Sequence, residues 1–121
     1  VHLVHAELFE RVAGQGFEVR PGDLGENITT RGVALLDLPT GAIVTIGTDA
    51  VLAVTGLRNP CRQIDAFQDG LLDAVLPRDE DGTRQRLAGV MAVVIRGGTV
   101  HPGDPIGVAL PPPPHHPLER V

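Results

Sequence analysis

Residues 42–61 read AIVTIGTDAVLAVTGLRNPC, and this stretch decides the fold class. Two runs rich in Val, Ile and Thr, Ala42 to Ile46 and Ala50 to Thr55, flank Gly-Thr-Asp, which is turn chemistry; together they predict a β-hairpin. Pro60 has no N–H for a ladder bond, so it ends the second strand. Further along, Ile64, Phe67, Leu71, Leu72 and Val75 recur at helical spacing and predict an amphipathic helix over Gln63 to Leu76, weakened by Gly70. PRDEDGTR (77–84) is a charged exposed turn. LAGVMAVVI (87–95) is the most apolar run and predicts a buried strand. The turn HPGD and a last strand over Ile106 to Leu110 follow. The closing PPPPHHPLERV predicts a polyproline II-like tail lying over the surface.

Working back from the hairpin, Leu3, Val4, Leu8 and Val12 are spaced for a helix over Leu3 to Ala13, with Gly14 as its stop and a short strand at Val1 to Val4. GFEVRPGDLGENITTRG (16–32) has too many Gly, Pro and Asn for a regular element. It predicts a long ordered loop with one extended piece at Phe17 to Arg20, and such loops are often functional. The sum is one mainly-β domain with two helices, read as a distorted barrel over residues 1–110 and a Pro-rich tail over 111–121.

Composition narrows the function. The 121 residues are 42% hydrophobic and 21% charged, which suits a globular domain with one core. A net charge of −5 with no basic run disfavours nucleic-acid binding through phosphates, and three Phe with no Tyr or Trp provide few stacking platforms. No stretch approaches a membrane span and no secretory signal is visible, so the expectation is a cytoplasmic protein with a small-molecule substrate, or else a structural module. One Cys excludes an intrachain disulfide and a Cys-rich zinc site. All ten cationic residues are Arg, so Schiff-base chemistry and a phosphate-loop lysine are excluded on this chain.

Three motifs carry candidate chemistry. Cys61 follows a strand end and a proline, with Arg58 and Arg62 beside it; guanidinium groups close to a thiol favour the thiolate, which attacks electrophiles and binds soft metals. The bland alternative is a small buried hydrophobe. GDLGENITT (22–30) offers converging backbone N–H groups and the hydroxyls of Thr29 and Thr30, a cradle for an anionic oxygen or else a plain turn. HPGDPIGV (101–108) reads as a structural turn in which Asp104 bonds nearby backbone. His2 and His5 lack a third ligand at a matching spacing and read as core or surface histidines. Asp65, Asp69 and Asp73 form a solvated helical face.

The GENITT loop, the NPC motif with Cys61 34 residues after Asn27, the apolar GVMAVV run and the closing VHPGDPI strand, in that order, resemble the MOSC domain. This is the C-terminal domain of molybdenum cofactor sulfurases and of stand-alone bacterial relatives. The resemblance implies a MOSC-type β-barrel in which Cys61 faces a cleft, either as a molybdenum ligand or as a persulfide carrier. It implies a molybdenum cofactor of the molybdopterin type held by Asn27, Thr29, Thr30, Arg58, Asn59 and Arg62. The implied reaction is reduction of N-hydroxylated compounds with an external reductase as electron donor. The alternatives are sulfur transfer with a sulfurase partner, whose pyridoxal phosphate would sit on that partner, and a non-catalytic module binding a small anion. Relatives usually carry an upstream Gly-Asp-x-His stretch and a first strand that this chain lacks. An incomplete barrel is therefore expected, with an unpaired sheet edge that a homodimer would cover.

Overall fold

The computed structural model describes residues 1–121. The hairpin forms as its sequence dictates: β3 (Ile43–Ile46) and β4 (Ala50–Leu57) pair antiparallel, Ile43 opposite Ala53 and Ile46 opposite Ala50. Along β4 the alternate residues Ala50, Leu52, Val54 and Gly56 point inward, the period of two that a half-buried strand requires. Around the hairpin lie β1 (His2–His5), β2 (Ile28–Thr30), β5 (Val90–Arg96) and β6 (Ile106–Ala109). The six strands form one sheet in the order β2-β1-β5-β4-β3-β6, curled into a half-barrel with β2 and β6 as its edges. All neighbours are antiparallel except β1 and β2.

Strand β1 separates two apolar cores, because its successive side chains point to opposite faces. Leu3 joins Leu35, Val44, Ile46, Leu52, Val54 and Val90 inside the curl. Val4 joins Leu8, Val12, Leu71, Val75 and Ala88 beneath the helices. These are α1 (Glu7–Ala13), α2 (Gln63–Phe67) and α3 (Leu71–Val75). No helix is long and apolar enough to cross a membrane.

Five expectations need correction. The first helix begins at Glu7, because Leu3 and Val4 are drawn into the sheet. The expected second helix is two short ones: Gln68 is extended and Gly70 takes φ 89°, a left-handed conformation that breaks the helical path. The loop over residues 16–32 is not wholly irregular: Ile28–Thr30 form β2 beside β1, whereas Phe17 to Arg20 form no strand. The apolar run ending β5 is buried only at its start. Val93, Val94 and Ile95 are 51%, 53% and 61% exposed, because β1 accompanies β5 only as far as Val90 and Met91, with Val1 bonded to Ala92. Finally, the Pro-rich tail does not simply lie over the surface. Leu118 is buried in the core inside the curl, and the backbone of Glu119 and Val121 bonds to both sides of Leu57.

Candidate functional site

The end of β4 positions the thiol. After Leu57 the Arg58 N–H donates to the Gly89 carbonyl at 3.0 Å, which turns the chain out of the sheet. Pro60 is buried, and the Cys61 carbonyl accepts the Ile64 N–H at 3.0 Å to open α2. Cys61 itself is exposed, which removes the small-buried-hydrophobe reading. Its Sγ faces a single partner, the Gln63 Oε1 at 3.8 Å.

Cys61 lies in the wall of a cleft of ≈ 220 Å³, shared with His2, Arg58, Gln63, Ile64 and Phe67 and with the loop residues Asp23, Leu24 and Gly25. Arg58 takes part in none of the chain's ion pairs, so its guanidinium is an unclaimed cation in this cleft. The His2 ring is 5% exposed and its Nε2 lies 2.6 Å from the Ala88 carbonyl. A carbonyl only accepts, so Nε2 carries the proton. Burial holds this imidazole below the usual histidine range; the Ala88 bond opposes that shift and the Arg58 charge adds to it. His2 is therefore neutral at pH 7, and Arg58 is the cleft's only cation.

The remaining predicted residues are not gathered here. Asn27 and Thr29 line a second cleft, together with the His101–Asp104 turn. Asn27 Oδ1 accepts the His2 N–H at 2.9 Å, and Asn27 N–H returns a bond to the His2 carbonyl. Thr29 Oγ1 donates to Glu26 Oε2 at 3.2 Å. Thr30 is buried with its hydroxyl unpartnered. Asn59 Oδ1 accepts from Arg86 Nε at 3.2 Å, and Arg62 stands just before α2, outside the cleft wall. The GENITT segment thus ties itself to β1 and to Glu26, and its Gly25, with Asp23 and Leu24 just upstream, lines the cleft that holds the thiol. The HPGD turn is structural as expected: His101 N–H donates to Asp104 Oδ2 at 2.8 Å.

Sequence reading missed two kinds of residue. Gln63 and Phe67 stand four apart on a helix beginning beside Cys61, a spacing that places them on one face. Glu26, 8% exposed, accepts from both Leu24 N–H and Thr29 Oγ1, and nothing in a single sequence marks an acid as buried. No three His, Cys, Asp or Glu residues cluster closely enough to hold an ion. A metal at Cys61 must therefore arrive with most of its own ligands.

The family model of the MOSC domain matches residues 1–107. No curated protein matches the sequence. Among solved structures the chain is similar to YiiM from Geobacillus stearothermophilus, with 25% identity and a TM-score of 0.72, covering 90% of this chain and 53% of that one. It is similar to the YuaD protein from Bacillus subtilis, with 24% identity and a TM-score of 0.72, over 89% and 62% of the two chains. YiiM from Escherichia coli shares the fold at 19% identity and a TM-score of 0.71, over 96% and 57%. The chain thus spans between 53% and 62% of the length of these three structures.

Proposed function

We propose, from the premise that this chain belongs to the MOSC domain family, that it binds a molybdenum–pterin cofactor through the Cys61 thiolate and reduces N-hydroxylated compounds. The observation that carries this reading is the pairing of an exposed thiol with an unclaimed guanidinium in one cleft. A thiolate is a soft ligand suited to molybdenum already chelated by sulfur, and Arg58 supplies donors to an anionic oxygen. The protein's lack of a three-ligand cluster suits a metal that brings its own chelate. When bound, the cofactor would supply two-electron redox chemistry. Cys61 would hold and tune it. The backbone of Leu24 and Gly25 would bound it on one side, and neutral His2 would keep a second positive charge out of the cleft. Electrons would come from an external reductase.

The exposure of Cys61 also suits a second reading, transfer of persulfide sulfur. Two measurements on protein from a host that makes molybdenum cofactor separate them. The first reading predicts stoichiometric molybdenum and pterin in the wild type and their loss in Cys61→Ser. Because the thiol is exposed and makes one weak bond, that variant's stability should fall by less than about 1 kcal/mol. Mass spectrometry showing one added sulfur on Cys61 without molybdenum would favour the second. Wild-type molybdenum content in Cys61→Ser would overturn the cofactor reading.

A further inference from the structure

The protein has three aromatic residues apart from histidine, all Phe. Phe9 and Phe17 pack against the core beneath the helices. Phe67 joins neither core; it is 45% exposed and lines the same cleft as Cys61. A lone exposed apolar side chain is ordinary on a protein surface. The position of this one is what matters.

Phe67 sits on α2, a five-residue helix with no buried residue. The segment is held to the body by polar bonds: Gln68 Nε2 donates to the Glu18 carbonyl, and Asp65 Oδ1 accepts the Leu72 N–H at 2.8 Å. Gly70, with φ 89°, turns the chain just after it and lies against Phe17. The ring is therefore carried on a braced turn instead of hanging from a free loop. Ile64, one helical turn earlier, and Leu24 across the loop give the same cleft further apolar surface, while Arg58 and Asp23 are its charged members.

We propose that the Cys61 cleft selects ligands with a flat aromatic or heteroaromatic body, with Phe67 as the stacking platform. This deepens the proposed function by naming a substrate class, and rests on it in taking the cleft as the place where substrate meets the thiol. A planar ring gains from Phe67 an offset-stacked or edge-on contact that an aliphatic ring of similar size cannot make. The polar end of such a ligand is left beside Cys61 and Arg58.

Cys61 is the only cysteine, so thiol labelling reports on this cleft alone and needs no cofactor. Rates with N-phenylmaleimide and N-cyclohexylmaleimide, each divided by its rate with a free thiol, give the preference for a flat ring. The wild type should prefer the phenyl reagent by about three- to tenfold. Phe67→Leu should abolish the preference while leaving the iodoacetamide rate unchanged, and Phe67→Tyr should retain it. No preference in the wild type, or an undiminished one in Phe67→Leu, overturns the proposal. Molybdenum with no phenyl preference would remove this inference and leave the cofactor reading standing. A phenyl preference without molybdenum would do the reverse.

Discussion

Gly89 stands where β5 begins, with φ 93° and with the Leu3 carbonyl oxygen occupying the space a Cβ would need. The close approach lets β1 and β5 meet below the cleft, and Val4 Cγ2 at 2.9 Å closes the same space. Gly89→Ala should destabilise the fold by about 2–4 kcal/mol in denaturant unfolding, combining a left-handed backbone with overpacking. The two histidines of β1 set the pH response. Burial lowers both below their ordinary value of 6.5, against the raising effect of the Ala88 bond on His2 and of the Glu7 charge on His5. The unfolded chain then binds protons that the folded chain refuses. Stability should be flat above pH 6.5 and fall as the pH drops from there toward the depressed folded values, with a slope of up to about 1.4 kcal/mol per pH unit for each imidazole. Unfolding free energies between pH 7.5 and 5 check this. His2→Gln should flatten the slope, and a variant with the full wild-type slope would remove His2 from the account.

The elements show how far a sequence can be read. The hairpin of β3 and β4 was legible because its signals are local: β-branched runs, a Gly-Thr-Asp turn and a terminating proline. The place of Cys61 just past the hairpin's end was legible for the same reason, and the structure leaves it exposed there. Strand β2 was not, since three residues carry no periodicity and its partner β1 lies 25 residues upstream, Leu3 opposite Ile28. The family resemblance placed Asn27, Thr29 and Thr30 of the GENITT segment at the cofactor, yet Asn27 is bonded to His2 of β1 and Thr29 to Glu26. That changes what a substitution should do. Thr29→Val leaves a buried carboxylate oxygen without its donor, so it should cost about 1–3 kcal/mol of stability. Thr29→Ser, which keeps the hydroxyl, should recover most of that loss. Equal stability of Thr29→Val and wild type in chemical denaturation would return Thr29 to a ligand-facing role.

Across the whole molecule, the curled sheet leaves its interior core to be covered from elsewhere, and part of that cover is the C-terminal segment. Leu118 is 8% exposed and belongs to the core inside the curl, together with Leu3, Leu35 and Val54. On either side of it the chain is tied down: Thr40 N–H donates to the His116 carbonyl at 2.8 Å, Leu57 N–H to the Glu119 carbonyl at 2.7 Å, and Val121 N–H to the Leu57 carbonyl at 3.1 Å. Gly56 admits this strap because any Cβ there would meet Val121 and the Glu119 carbonyl. Polyproline composition gave no hint of it, since the docking rests on one leucine and on backbone groups far away in sequence. Leu57 is also the residue from which the chain leaves the sheet toward Arg58 and Cys61, so the strap and the cleft share a foundation. Leu118→Ala should therefore destabilise the fold by about 2–4 kcal/mol, the range for emptying a buried leucine site. It should also loosen the Leu57–Cys61 turn, seen as faster amide exchange at Leu57 and Val121 than at Val44 in the same sample. If Leu118→Ala unfolds at the wild-type midpoint, or those amides stay as protected as Val44, the tail is not a structural part of the half-barrel.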